Sequence, residues 1–133
     1  MEQFLLFLDI MNENTIRVLI VEDEEALLFG LKKLLQNSRT LIDTASSLAD
    51  AEVLLHQNRY QAVLTDLRLS DTDIIEGYLV VKAVRALQPG CKIVVMTAFA
   101  EKGLKYHAAE GAVDFFLSKP IEPVRIREIL NAL

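Results

Sequence analysis

The chain has 133 residues, of which 52% are hydrophobic and 25% are charged, and this length and composition are typical of one globular domain rather than of a disordered or fibrous protein. Its net charge of -5 argues against direct binding to nucleic acid, because such binding depends on clustered lysine and arginine residues. The single cysteine, Cys91, excludes an internal disulfide, suits a reducing cytoplasm, and is interpreted as a small apolar residue at the start of a strand.

The predicted domain occupies residues 15–133 and follows an N-terminal extension, residues 1–14. The first ten residues are apolar, but the run is far shorter than a membrane span and lacks the basic flank of a secretory signal. We therefore expect a soluble, cytoplasmic protein. Three interpretations of the first ten residues stay open: a helical turn or two packed on the surface, a self-association element, or a product of start-site choice, since Met11 would itself make a plausible beginning.

Five short apolar runs predict β-strands, of which the second is the weakest. Continuous rather than alternating apolar runs are typical of strands that are covered on both faces, as in a parallel sheet between two layers of helices. The predicted strands are β1 (17–21), β2 (41–45), β3 (62–65), β4 (92–96) and β5 (114–117).

Segments with helical spacing follow each strand. In the first of them, five leucines are expected on one side: Leu27, Leu28, Leu31, Leu34 and Leu35. Ser47, with an acidic residue three positions later, resembles the start of a capping box, and Pro123 suits the first turn of the last helix. The predicted helices are α1 (25–37), α2 (48–57), α3 (77–87), α4 (101–109) and α5 (124–131).

This alternation predicts an α/β fold, a (βα)₅ unit in which right-handed crossovers place helices on both faces of one doubly wound parallel sheet. Ligands of such sheets bind at the carboxyl ends of the strands, where this chain carries Glu22, Asp23, Asp66, Thr97 and Lys119. Converging carboxylates repel each other unless a cation joins them, and oxygen-only ligands favour Mg²⁺. An ammonium and a hydroxyl beside them could bind the oxygens of a phosphoryl group.

Four segments carry these residues in order: 18–25 (VLIVEDEE), 62–69 (AVLTDLRL), 94–98 (VVMTA) and 116–120 (FLSKP). Together they resemble the signature segments of response-regulator receiver domains of bacterial two-component systems, and the resemblance covers residues 16–133. Four ordered motifs are far more specific than any one of them. The resemblance implies a flavodoxin-like fold with strand order 2-1-3-4-5.

The resemblance further implies that Asp66 is the phosphoacceptor, receiving a phosphoryl group from a sensor histidine kinase, a histidine phosphotransfer protein or a small phosphodonor. It implies that Mg²⁺ is the cofactor. The implied ligands of the metal are Asp23, Asp66, the backbone carbonyl of Arg68 and, through water, Glu22.

Other implied roles concern the phosphoryl group and the signal. Thr97 and Lys119 would contact phosphoryl oxygens, the peptide bond before Pro120 would be cis, and Phe116 would be the aromatic switch residue. The surface of α4, β5 and α5 would then change and contact a downstream output domain or protein, or a second copy in a phosphorylation-dependent homodimer. No contact with membrane or nucleic acid is implied.

Two features leave alternatives open. The loop 69–76 is about three residues longer than is usual after the phosphoacceptor, and an effect on the choice of kinase or on the lifetime of the phosphoryl group stays open. A switch with at most slow self-dephosphorylation is expected rather than an enzyme with turnover, because a phosphohydrolase that uses an aspartyl-phosphate would need an acid-base carboxylate where Arg68 stands. A phosphorelay shuttle and a phosphorylation-independent scaffold remain rivals.

Overall fold

The computed structural model describes residues 15–67, 75–98 and 111–133. The predicted extension 1–14, Arg68, the first part of the loop insertion (69–74) and the predicted helix α4 (101–109) lie outside the described residues. In the part of the chain that is described, no helix is long and apolar enough to cross a membrane.

Five strands form one parallel sheet in the order β2-β1-β3-β4-β5, which confirms the predicted doubly wound fold. Each strand boundary differs from the predicted one by at most one residue. The strands are β1 (Ile16–Val21), β2 (Thr40–Ala45), β3 (Ala62–Asp66), β4 (Lys92–Thr97) and β5 (Phe115–Ser118).

Successive residues of a strand point to opposite sides of the sheet, and in the central strands the side chains on both sides are buried. Leu19 and Val63 pack on one face, whereas Ile20 and Leu64 pack on the other. All five residues of β3 are buried, which is why this strand reads as a continuous apolar run and not as an alternating one. The last of the five is a carboxylate, Asp66, at the carboxyl edge of the sheet.

Four described helices cover the two faces. α1 and α5 pack together on the face of Ile20, and α2 and α3 pack together on the face of Leu19. The helices are α1 (Glu25–Leu35), α2 (Leu48–Gln57), α3 (Ile75–Leu87) and α5 (Pro123–Asn131).

Helix α1 ends two residues before the predicted end at 37. Gln36 takes an extended conformation, and the side chain of Asn37 accepts hydrogen bonds from the amides of Arg39 and Thr40, so the chain turns directly into β2.

The buried face of α1 is narrower than the five predicted leucines suggest. Leu31 and Leu35 are buried, but Leu34 is 64% exposed because it lies at the margin of the apolar stripe.

Helix α2 begins with the predicted cap, in which Ser47 Oγ accepts a hydrogen bond from the Asp50 amide at 3.2 Å. A second acceptor comes from another helix: Glu76 Oε1, in the first turn of α3, accepts from the Leu48 amide at 3.1 Å. The carboxylate of Glu76 therefore connects the start of α3 to the start of α2.

Helix α3 begins two residues before the predicted start, and Gly77 lies in its first turn. The Gly77 amide donates to the carbonyl oxygen of Leu67 at 3.1 Å. A Cβ added to this glycine would overlap the Leu67 backbone, because Leu67 O and Cα would lie inside van der Waals contact. Only glycine lets the helix approach the residue after Asp66 so closely.

Gly77→Ala is therefore expected to lower the free energy of unfolding by about 1–3 kcal/mol, since the overlap outweighs the helix propensity gained. Urea unfolding followed by circular dichroism measures the change. Gly30→Ala in α1 is the matched control, because a Cβ there meets nothing within 4 Å, and it is expected to stabilise the protein by about 0.5–1 kcal/mol. Equal effects of the two substitutions would contradict the close approach of Gly77.

Candidate functional site

Two acidic side chains are buried side by side at the carboxyl edge of the sheet. Glu22 directly follows β1 and is 1% exposed, and Asp66 is the last residue of β3 and is also buried. β1 and β3 are neighbours, with Val21 opposite Thr65, so the residues that come next lie beside each other. Two carboxylates this close in a buried place require a positive charge.

Lys119 supplies that charge in the structure. Its Nζ donates to Asp66 Oδ2 at 2.6 Å and to Glu22 Oε2 at 3.1 Å. Lys119 follows β5, and its amide donates to the carbonyl oxygen of Thr97 at 3.0 Å, which holds the backbone in line with β4. The side chain thus extends past the end of β4 to the ends of β3 and β1. The Lys119–Pro120 peptide bond is cis.

Burial has the largest single effect on the pKa of Glu22 and of Lys119, and in Lys119 the other contacts outweigh it. It raises the pKa of Glu22 to about 7, although the charge of Lys119 and a hydrogen bond from the Glu24 amide, 3.2 Å from Glu22 Oε1, partly oppose the shift. Burial by itself lowers the pKa of Lys119, but the hydrogen bond to Asp66 and the negative charges of Asp66 and Glu22 outweigh it and raise that pKa. Lys119 is therefore an ammonium at neutral pH.

The raised pKa of Glu22 predicts a pH-dependent stability. Because its folded pKa is about 7 and its ordinary value is 4.5, the folded state binds an extra proton between these values, and stability falls as the pH rises through them. In buffer with EDTA, Glu22→Gln is expected to increase the free energy of unfolding by about 1–3 kcal/mol at pH 8 and to change it little at pH 4. Urea unfolding at both pH values measures this, and a gain at pH 4 as large as that at pH 8 would contradict it.

Two further predicted site residues lie at the same edge. Thr97 is the last residue of β4 and is buried, between the strand that ends at Asp66 and the strand that leads to Lys119. Asp23 directly follows Glu22 but is exposed to solvent. The structure therefore joins Glu22, Asp66 and Lys119 by direct contacts, with Thr97 on the adjacent strand and Asp23 at the outer rim.

The donor set of this edge is suited to a hard cation. Carboxylate oxygens from Glu22 and Asp66 already converge on one positive group, and Asp23 stands next in the chain at the rim. Within residues 15–67, 75–98 and 111–133, no three Asp, Glu, His or Cys side chains gather closely enough to hold a metal ion. The carboxylates of Glu22, Asp23 and Asp66 are of the type that binds Mg²⁺, and in this structure the ammonium of Lys119 contacts Glu22 and Asp66.

The two phenylalanines of β5 lie on opposite faces of the sheet. Phe115 packs against the core under α1 and α5, whereas Phe116 packs, half-buried, against the core under α2 and α3. Phe116 lies in β5 and Lys119 directly follows that strand, so the predicted switch residue and the ammonium that contacts Asp66 are positioned by the same strand.

Sequence reasoning missed three contacts at this site. It assigned Lys119 to a phosphoryl oxygen but did not foresee its ion pair with Glu22, and it missed the hydrogen bond from the Glu24 amide and the close approach of Gly77 to Leu67. A signal for the first contact was available, because a carboxylate buried at a strand end needs a partner of opposite charge.

Comparisons with known proteins identify the family of this chain. A family model described as the response regulator receiver domain matches residues 18–131. The alginate biosynthesis transcriptional regulatory protein AlgB of Pseudomonas aeruginosa is 33% identical over 112 residues, which are 84% of this chain and 24% of that protein. The chain thus spans about a quarter of the length of that relative.

Solved structures show the same fold. A response regulator receiver domain (CheY-like) from Methylobacillus flagellatus is 33% identical, with a TM-score of 0.75 over 89% of this chain and 98% of that one. The response regulator protein TrrA from Thermotoga maritima, in complex with Mg(2+)-BeF, is 24% identical, with a TM-score of 0.74 over 89% of this chain and 98% of that one. With its family model matched over most of its length, this chain belongs to the response regulator receiver domain family.

Proposed function

We propose that this chain is the phosphoacceptor domain of a two-component system and that its phosphoryl group is carried on Asp66. The observation that supports this best is the environment of Asp66: a buried carboxylate at the carboxyl end of a central strand, 2.6 Å from the ammonium of Lys119 and next to Glu22. The donor would be the phosphohistidine of a sensor kinase or of a histidine phosphotransfer protein.

The transfer is a displacement at phosphorus. An Oδ atom of Asp66 attacks the phosphorus atom, a P–O bond forms as the P–N bond of the phosphohistidine breaks, and the electron pair leaves on the imidazole nitrogen, which then takes a proton. Lys119 stabilises the negative charge on the phosphoryl oxygens, because its raised pKa keeps it protonated. Thr97, at the end of β4, is proposed to donate its hydroxyl to another phosphoryl oxygen.

Glu22, Asp23, Asp66 and the backbone carbonyl of Arg68 are proposed to hold Mg²⁺. When bound, Mg²⁺ would offset the repulsion between the carboxylates and the incoming phosphoryl group. The chemistry of the described donors supports this, as does the solved structure of TrrA with Mg(2+)-BeF, a receiver of the same fold. If these residues held Mg²⁺, its charge would balance Glu22 in place of Lys119, whose ammonium would then be available to a phosphoryl group.

The switch follows from a change of charge and shape. Phosphorylation turns the Asp66 carboxylate into an acyl phosphate with up to two negative charges and three acceptor oxygens. Lys119 and Thr97 would move toward these oxygens, and Phe116 would turn into the space that Thr97 leaves. The altered surface is proposed to be that of α4, β5 and α5, with a downstream output domain or protein, or a second copy of the chain, as its partner.

We further infer the cellular setting and the domain boundaries. The phosphodonor and the magnesium chemistry suit a cytoplasmic protein that acts as a switch with slow self-dephosphorylation and not as an enzyme with turnover. Residues 15–133 are proposed to be the receiver domain and residues 1–14 an extension to it. The chain spans about a quarter of the length of AlgB, a transcriptional regulatory protein. The output is therefore proposed to lie in another domain or protein.

The test is phosphorylation of the whole chain by acetyl phosphate, with Mg²⁺ or with excess EDTA. Intact mass measurement is expected to show one added phosphoryl group only with Mg²⁺, and hydroxylamine is expected to remove it, because an acyl phosphate is cleaved by that nucleophile. The proposal would be overturned by equal labelling in EDTA, by no labelling, or by a modification that resists hydroxylamine.

A further inference from the structure

One half-buried acidic side chain, Glu76, joins two helices at the edge of the sheet that carries Asp66. Glu76 lies in the first turn of α3, and its Oε1 accepts a hydrogen bond at 3.1 Å from the amide of Leu48, the first residue of α2. The first amides of a helix have no partner within that helix, so this carboxylate binds a donor that α2 itself leaves unpaired. A negative charge is also favourable near helix N-termini, and Glu76 lies at the start of two helices.

The start of α3 is also held against the strand that carries Asp66. Leu67 directly follows Asp66, and its carbonyl oxygen accepts from the amide of Gly77, the neighbour of Glu76, at 3.1 Å. The two backbones are in close contact, since a Cβ on Gly77 would overlap Leu67. Tightly packed groups transmit a displacement because they have little room to absorb it. A displacement of Leu67 is therefore carried to Gly77 and to Glu76.

The other end of α2 is held by the residue that follows α3. The side-chain Nε2 of Gln88 donates to the carbonyl oxygens of Leu55 at 2.9 Å and Asn58 at 2.6 Å, where α2 ends. Its Oε1 accepts from the Tyr60 amide at 2.7 Å. With Glu76 at one end of α2 and Gln88 at the other, α2 is bound to α3 at both ends and follows a displacement of that helix.

We propose that Glu76 connects the phosphoacceptor strand to α2, so that the start of α2 responds when Asp66 is modified. The contacts lead from Asp66 to Leu67, from there to Gly77 and Glu76, and then to Leu48. A phosphoryl group adds volume and up to two negative charges to a buried side chain, and the strand end shifts to accommodate them. This inference rests on the proposed phosphoacceptor function, and it adds α2 to the elements that respond.

Amide NMR spectra of the full chain in Mg²⁺, before and after addition of beryllofluoride as a phosphoryl mimic, test the connection. In the wild type the Leu48 signal is expected to shift, because a hydrogen-bonded amide is sensitive to the position of its acceptor. Glu76→Ala should reduce this shift by more than half, whereas Glu76→Gln should keep most of it, since its side chain still offers an acceptor oxygen. Glu52→Ala, which removes an exposed carboxylate from α2, should leave the shift unchanged.

Two other amide signals serve as internal references. The Asp50 amide lies in the same turn as Leu48 but is bound by Ser47 Oγ at 3.2 Å. An Asp50 signal that stays in place in Glu76→Ala before the mimic is added shows that the start of α2 remains folded. The Lys119 signal reports whether the mimic has bound, because the side chain of Lys119 contacts Asp66.

The outcomes separate this inference from the function on which it rests. A shift of Lys119 without a shift of Leu48 in the wild type would overturn the inference and leave the phosphoacceptor function standing. An equal Leu48 shift in the wild type and in Glu76→Ala would also overturn it, as would a loss in Glu76→Gln as complete as in Glu76→Ala, which would assign the effect to charge. No shift of either signal would contradict the proposed function and, with it, this inference.

Discussion

Asp66→Asn is expected to reduce phosphorylation by acetyl phosphate and Mg²⁺ by roughly a hundredfold or more, to the background of the assay. The amide has nearly the shape of the carboxylate but lacks the anionic oxygen that attacks phosphorus. The fold should persist, because Lys119 keeps its ion pair with Glu22 at 3.1 Å when the charge of Asp66 is removed. Intact mass measurement after a fixed incubation gives the modified fraction.

The control for this substitution is Asp50→Asn, which removes an exposed carboxylate from the first turn of α2. It is expected to leave the modified fraction unchanged. If Asp66→Asn were still modified like the wild type, the phosphoacceptor would lie elsewhere. Urea unfolding of both variants separates a loss of chemistry from a loss of fold.

Lys119→Met is expected to lower the free energy of unfolding by about 3 kcal/mol at pH 8 in buffer with EDTA. The ammonium contacts both buried carboxylates, and its removal leaves two negative charges side by side without this opposite charge. We expect the lower end of the usual range for a broken buried pair, because the Lys119 side chain is 20% exposed and water can enter.

The loss caused by Lys119→Met should be clearly smaller at pH 5.5. Burial already raises the pKa of Glu22 to about 7, and loss of the neighbouring ammonium raises it further, so this carboxyl is neutral in the folded variant at the lower pH. Urea unfolding at both pH values measures the difference. Lys92→Met is the control, since that side chain is 53% exposed and its nitrogen lies 3.9 Å from Asp114, and it should change stability by less than about 1 kcal/mol at either pH. An equal loss at the two pH values for Lys119→Met would argue against the buried triad.

The strands were predictable because burial on both faces demands continuous apolar runs. β3 is the clearest case: its apolar run and its terminal aspartate are both visible in the sequence, and all its residues are buried in the structure. The ends of the helices were less predictable. α1 ends at Leu35 because Asn37 binds the amides of the next turn, an interaction that competes with the helix and is not apparent from periodicity.

The sequence by itself determined the alternation of strands and helices, the doubly wound sheet and the edge at which Glu22, Asp66, Thr97 and Lys119 are found, because each depends on local patterns and on the direction of parallel strands. Only the tertiary structure decided which of these groups touch. The ion pairs of Lys119 join residues 53 and 97 positions apart, and the Gly77 contact depends on how closely α3 packs against Leu67. Distances of this kind arise from the packing of whole elements, and no stretch of the chain encodes them locally.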